Sequence, residues 1–157
     1  MGEIGENWGI SVVYVGEFAH TLDREGRLAL PARLREALGD ELTRGLFLTC
    51  GAEPCIVAYT QERFAKLLAG LEGEAGVSKS AARAFKRALG GRTALAAADK
   101  QGRILIPEVL RRFADITREV VVVGAIDSVE IWDAKRYRLG GPSREVAYGR
   151  VAPRVLG

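Results

Sequence analysis

Short apolar bursts punctuated by polar turns run along this chain, and the pattern occurs twice. The stretch LDREGRLALPARLREAL, residues 22–38, returns 76 positions later as ADKQGRILIPEVLRRFA, residues 98–114. Asp23, Gly26, Arg27, Pro31, Leu34 and Arg35 recur as Asp99, Gly102, Arg103, Pro107, Leu110 and Arg111, while Leu28 and Leu30 become Ile104 and Ile106. Farther on the offset shortens to 73, and CIVAYTQERF (55–64) is answered by SVEIWDAKRY (128–137). A fixed internal period outranks any local signal in deciding architecture.

Each copy parses alike. Short strands are predicted around Phe18–Leu22 and Arg27–Leu30, on either side of Asp23-Arg24-Glu25-Gly26. Asp at the first turn position and Gly three residues later fit a type I turn with a G1 bulge, and Asp99-Lys100-Gln101-Gly102 repeats it. Pro31 and Pro107 fall where a helix begins, because a missing N–H costs nothing there. Leu34, Ala37 and Leu38 form one stripe and Gly39 ends the helix; Val109, Leu110 and Phe113 form its counterpart. LFLTC (46–50) and VVVVG (120–124) read as buried strands, followed by CIVAY (55–59) and VEIW (129–132). Thr60 and Asp133 suit the N-caps of two closing helices. Between the copies, Ser78–Leu89 reads as a basic helix capped by Ser78 or Ser80 and stopped by Gly90-Gly91. Val77, Ala81, Ala84, Phe85, Ala88 and Leu89 make its apolar stripe, and Lys79, Arg83, Lys86 and Arg87 its wet face. From Gly140 onward no period is clear, and a flexible tail is expected.

A β-α-β-β unit of about 50 residues struggles to bury enough surface alone. Two copies can close one shared barrel-like core about a pseudo-twofold axis, so the chain is expected to be α+β and to act as its own dimer. The expected divisions are repeat 1 at 14–72, a helical connector at 73–92, repeat 2 at 93–140 and the tail at 141–157.

Composition changes this picture little. The 157 residues are 48% hydrophobic and 27% charged, which suits a globular fold. The net charge of +3 is unevenly spread. Residues 1–73 carry 7 basic and 11 acidic side chains, residues 74–92 carry 5 and 1, and residues 133–157 carry 6 and 2. Bulk basicity is therefore no argument for a nucleic-acid partner. The first 17 residues lack the basic region of a signal peptide, and Glu6 stands where myristoylation wants Ser or Thr. With no long uncharged apolar run, a cytoplasmic chain without membrane contact is expected.

Candidate chemistry is sparse. Cys50, Cys55 and the single His20 cannot supply four zinc ligands, and GGRT lacks a P-loop ending, so neither metal, cofactor, small-molecule substrate nor enzymatic activity is expected. A Cys–His nucleophile would need His20 beside a thiol of lowered pKa. Trp132 and Tyr137 suit either core packing or a subunit contact. The duplicated turn is the strongest candidate. Arg27 and Arg103 can present a planar fork to guanine O6/N7 or to phosphate, and Arg24 and Lys100 at the tips can reach phosphates. Asp23 and Asp99, four residues before the arginines, form the turn and can hold the guanidinium. An Asp–Arg pair that only locks each hairpin accounts for the same spacing.

YVGEFAHTLDREGRLALPARLREAL, together with DKQGRILIPEVLR, VVVVG and VEIWD, resembles the two halves of the MraZ family. That family belongs to the AbrB/SpoVT-type superfamily of swapped-hairpin DNA binders. The resemblance covers roughly residues 14–139; about a dozen residues before Tyr14, and the tail, depart from it. It implies an AbrB-like barrel and a nucleoid-associated bacterial transcriptional regulator. Such a protein binds promoter repeats of the division and cell-wall gene cluster, usually as a repressor, and assembles as a ring homo-oligomer. It carries the DNA-contacting motif onto Asp23, Gly26, Arg27, Asp99, Gly102 and Arg103. The alternative is a protein-interaction module, antitoxin-like, with DNA binding secondary.

Overall fold

A computed structural model describes residues 12–157; the readings of the extreme N-terminus fall outside the described residues. The fold is α+β. The first copy contributes β1 (Glu17–Thr21), β2 (Arg27–Ala29), α1 (Ala32–Leu38), α2 (Asp40–Arg44), β3 (Leu46–Cys50), β4 (Ile56–Tyr59) and α3 (Gln61–Ala69), which ends in a 3-10 turn at Gly70–Gly73. Helix α4 (Lys79–Arg92) leads to the second copy: β5 (Ala94–Ala96), β6 (Arg103–Leu105), α5 (Glu108–Phe113), β7 (Glu119–Gly124), β8 (Val129–Asp133) and α6 (Ala134–Leu139). Helix α7 (Gly141–Val155) follows.

Six strands form one antiparallel sheet in the order β1-β7-β8-β4-β3-β5, and β2 pairs with β6 in a separate ribbon. Exchanging each strand for its counterpart in the other copy turns the six-strand order into its own reverse. The first strand of each copy is thus lodged in the other: Phe18 lies opposite Val122 on β7, and Ala96 lies opposite Leu46 on β3. The local hairpin expected on either side of each turn is therefore corrected. The turn closes, but its two strands then part, β1 to β7 and β2 to β6. Burial explains the exchange. Leu28 faces Ile104 across the ribbon, and both are fully buried, as are Ile106 and Leu110. Leu30 and Leu34 are at most 2% exposed. Each such side chain contributes about 1.5–3 kcal/mol, and each is buried in a core built from both copies.

Element boundaries follow local chemistry. Pro31 and Pro107 sit at the N-caps, and their carbonyls accept from Leu34 and Arg35 and from Leu110 and Arg111. Thr60 and Asp133 cap α3 and α6 as expected, accepting from the backbone N–H of Arg63 at 3.2 Å and of Arg136 at 3.0 Å. Gly39 ends α1 with φ +54, after which a short α2 intervenes that the periodicity did not predict. Ser78 caps α4, but Gly90-Gly91 does not stop it. The helix continues to Arg92, where the Thr93 hydroxyl meets the Leu89 carbonyl at 2.6 Å and the Thr49 hydroxyl of β3 at 3.0 Å. The helix thus runs through two glycines that cost about 1 kcal/mol each and ends on a tie to the sheet. The tail is also corrected: α7 is a 15-residue helix, with Pro142 in its first turn.

Candidate nucleic-acid interface

One carboxylate organises each turn. Asp23 Oδ1 accepts from the backbone N–H of Glu25 and of Arg27, both at 2.9 Å, while Oδ2 accepts from Arg27 Nε at 3.0 Å. In the second turn Asp99 Oδ1 accepts from Gln101 and Arg103, and Oδ2 from Arg103 Nε, all at 2.9 Å. The Gly26 N–H closes back on the Asp23 carbonyl at 3.1 Å, and Gly102 on Asp99 at 3.0 Å. With φ of +86° and +77° at the two glycines, both turns have the expected bulge. Backbone donation from Arg27 and from Arg103 holds the Asp23 and Asp99 carboxyls below the usual range, and the guanidinium groups add to it.

The two turns are neighbours. Ile106 N donates to the Gly26 carbonyl at 2.9 Å, so the ribbon carries one tip beside the other. Arg103 Nη1 lies 3.6 Å from Asp23 Oδ2, an ion pair between the copies. Arg24, Glu25, Lys100 and Gln101 are exposed at the tips, and Arg27 and Arg103 are about one-third exposed. The turns differ in two respects: among the described residues the Arg103–Asp23 ion pair between the copies has no Arg27–Asp99 counterpart, and the residue before each glycine is not the same. Glu25 Oε1 pairs with Arg27 Nη2 at 3.2 Å, whereas the neutral Gln101 stands at the matching place beside Arg103.

Two further arginines join this face. A Cβ on Gly26 would meet Arg111 Cζ at 2.9 Å, and one on Gly102 would meet Arg35 Nη1 at 2.8 Å. Each glycine thus lets an arginine of the other copy pass beneath the turn. Arg111 Nε is anchored on the Ile106 carbonyl at 3.0 Å. The sequence marks Arg35 and Arg111 as repeated positions without assigning them to the site; their recurrence was the available signal. The turns alone sum to one positive charge. With these two, six cationic side chains face three carboxylates (Asp23, Glu25, Asp99).

The remaining candidates go elsewhere. His20 sits on β1, at the opposite side of the sheet from Cys50 on β3. Three strands, β7, β8 and β4, lie between them in the sheet. Burial pushes the Cys55 thiol up to about 12, the reverse of what a nucleophile needs. Tyr137 is buried; its ring lies 5.8 Å from that of Trp132, and its hydroxyl donates to Glu17. Among the described residues, no cluster of three or more His, Cys, Asp or Glu is placed to hold a metal ion, and no helix is long and apolar enough to cross a membrane.

Fold and site together define an α+β chain of two interlocked copies presenting a duplicated Asp-x-x-Gly-Arg turn on one face. Comparison with known proteins places that class. The family model for MraZ protein, further described as antitoxin-like, matches residues 13–88 and 90–139. The chain is 38% identical to the transcriptional regulator MraZ of Cutibacterium acnes over 144 residues, covering 92% of this chain and 98% of that one. It is 40% identical to the protein of the same name from Lactiplantibacillus plantarum over 126 residues, 80% and 86% of the two chains. For Symbiobacterium thermophilum the figures are 41% over 123 residues, 78% and 86%. The chain belongs to the MraZ family. These relatives carry the name of transcriptional regulators.

Proposed function

We propose that this chain is a DNA-binding transcriptional regulator, with the paired turns as its contact surface. One observation carries the reading: the 3.6 Å approach of Arg103 to Asp23 makes the two turns a single composite surface. Arg27 and Arg103 address base edges or phosphates with the parts of their forks turned away from the aspartates. Arg24 and Lys100 take phosphates, and Arg35 and Arg111 raise the local potential from below. Asp23, Gly26, Asp99 and Gly102 hold the geometry.

Family membership supports the wider reading. The target is a set of tandem repeats in the promoter of the protein's own division and cell-wall gene cluster. The protein acts there as a repressor, in the cytoplasm on the nucleoid, assembled as a ring. The palindromic strand order supports an AbrB-like barrel shared by repeats 14–72 and 93–140. Assembly matters energetically. A face with a net charge of three neutralises few phosphates, so one chain alone binds feebly. Presenting many such faces to adjacent repeats raises avidity by about 10²–10⁴ without new contacts.

The test is a gel shift on the region upstream of the protein's own gene, with Arg27→Ala and Arg103→Ala compared with the unaltered chain. Far-UV circular dichroism and native mass serve as controls. Each substitution is expected to weaken binding and to lower the steepness of its salt dependence by about 0.9 for every phosphate no longer neutralised. Unchanged binding by the double variant would move the contact surface elsewhere. The antitoxin-like description of the family favours a second reading, a partner-binding module, in which both variants keep their partner while losing DNA.

A further inference from the structure

The six-strand sheet gives the molecule two sides. Side chains alternate across a strand, and Leu48, Ile56 and Ile131 point to the side where Leu28 and Ile104 of the ribbon are buried with them. Thr49, Val57 and Glu130 alternate with these and face the other side, where they line a groove with Phe85 and Leu89 of α4. The Thr93 hydroxyl ties the end of α4 to Thr49 on that side. The ribbon with its two turns and helix α4 therefore lie on opposite sides of the sheet.

Helix α4 turns Ala82, Phe85 and Leu89 inward; Ala82 and Leu89 are half-buried and Phe85 borders the groove. On its outward face Lys79, Arg83 and Arg87 stand four residues apart, all exposed, with only Ser80, Ala84, Gly90 and Gly91 beside them. No carboxylate lies within the helix. Lys86, on the flank, pairs with Glu72 at 3.1 Å, but among the described residues the three outward cations take part in no salt bridge. Like charges four residues apart destabilise a helix, so helix stability does not account for this ridge. It is about 12 Å long at 1.5 Å per residue. One DNA strand carries a phosphate for every ~3.4 Å of axis, so the ridge can run alongside about three of them.

We propose that this ridge is a second DNA-binding surface, one that grips the phosphate backbone of a duplex segment other than the one held at the turns, without regard to sequence. The rest of the outward face selects that partner. A lipid surface is bound through large apolar side chains, and this face has none. Single strands are held by aromatic rings on which bases stack, and none is present here. A protein partner needs an apolar or aromatic anchor at the centre of the contact. Cations separated by Ser, Ala and Gly suit a hydrated phosphate backbone, which the small side chains allow to approach closely. The position of the ridge calls for a second segment. Duplex DNA is stiff over about 150 base pairs, so a straight duplex lying across the turns does not reach the far side of the sheet. A chain with both surfaces bridges two duplexes. The inference rests on the turn reading only for the first of them.

Full-length variants test it. The ridge variant carries Lys79→Gln, Arg83→Gln and Arg87→Gln, and the turn variant carries Arg27→Ala and Arg103→Ala. Glutamine matches Lys and Arg in helix propensity and the three ridge positions are exposed, so far-UV circular dichroism and native mass are expected to stay unaltered. In the first measurement the protein is held on an immobilised duplex from upstream of its own gene and offered a labelled duplex of scrambled sequence. The unaltered chain is expected to capture the second duplex. The ridge variant is expected to remain on the first and to lose the capture. In the second, the turn variant binds the scrambled duplex in solution as salt is varied. Adding the ridge substitutions to it is expected to flatten the slope of log affinity against log salt by about 0.9 per phosphate contact, about 2.7 for the whole ridge. An unaltered chain that captures no second duplex overturns the inference, as does a ridge variant that captures as much as the parent. Single-stranded DNA, or vesicles of phosphatidylglycerol, competing with the scrambled duplex as well as duplex itself does would overturn it too, by assigning the ridge to another polyanion. The two readings fail separately. A turn variant that binds the upstream region as tightly as the parent removes the turns as the operator contact, whereas the scrambled duplex judges the ridge alone.

Discussion

Glu25 is one point at which the two turns stop being equivalent. Its carboxylate occupies Arg27 Nη2, while Gln101 leaves Arg103 without that competitor. On the proposed contact surface, a negative charge beside the Arg27 guanidinium both screens it and repels the DNA backbone. Glu25→Gln is therefore expected to tighten DNA binding by about 1.4–5-fold, the range of one exposed ion pair. Gln101→Glu is expected to loosen it by a similar factor, and titration on one operator fragment measures both.

The aspartates tie pH to stability at this same scale. Both carboxyls are depressed, so the native state holds their ionised forms more tightly than the unfolded chain does. Their contribution is complete above the ordinary aspartate value of 3.8 and disappears as pH falls through the lower native values. The stability difference between the unaltered chain and an Asp23→Asn, Asp99→Asn double variant should stay constant from neutral pH to about 4 and shrink below it. Denaturant melts across pH ~3–7 read this directly. A difference that grew on acidification would contradict the assigned hydrogen bonds.

At the scale of elements, the repeat exposes a contrast that one copy alone would hide. Gly39 ends α1 with φ +54, and the matching residue after α5 is Asp115 with φ +56. Aspartate tolerates the left-handed region better than most side chains but still carries a Cβ. Gly39 combines that φ with ψ −132, outside the αL well and in a region essentially confined to glycine, so Gly39→Ala should cost about 1–3 kcal/mol, whereas Asp115→Ala should cost less, because a Cβ is already accommodated there and its ion pair with Arg136 is exposed. Thermal melts of the two single variants decide it. Strands, caps and the Pro-led helices were legible because each has a local cause: apolar runs at 46–50 and 120–124, Thr60 and Asp133 with free side-chain oxygens, prolines lacking an N–H. The extent of α4 was not, because Thr93 carries it past Gly90-Gly91 through a contact with Thr49, 44 positions away. Helix α7 was hidden because Gly149 and Pro153 interrupt the stripe that Tyr148, Val151, Ala152 and Val155 make.

At the scale of the whole molecule, the same limit governs the site. That Asp23 organises Arg27 was readable from four-residue spacing, but that Arg111 runs beneath Gly26 depends on the exchange of strands between copies, which no local pattern records. The exchange also decides how the chain unfolds. Leu28 and Ile104, Leu30 and Ile106, and Leu34 and Leu110 are buried in one core with no separate interior for either copy. Leu28→Ala removes a fully buried side chain and should cost about 2–5 kcal/mol. If the copies were independent, that cost would be confined to the first half. In an interlocked core it must be felt throughout, because β6, opposite Leu28, and β7, on which β1 lies, belong to the second copy. Trp132, on β8, reports the second copy by fluorescence in a Trp8→Phe background, while far-UV circular dichroism reports the whole chain. The two denaturation transitions are expected to coincide in the parent and to shift together in Leu28→Ala, as a single cooperative unit requires. A Trp132 transition that stays in place while the circular dichroism signal moves would show that the copies fold separately, and with that the composite surface would lose its structural basis.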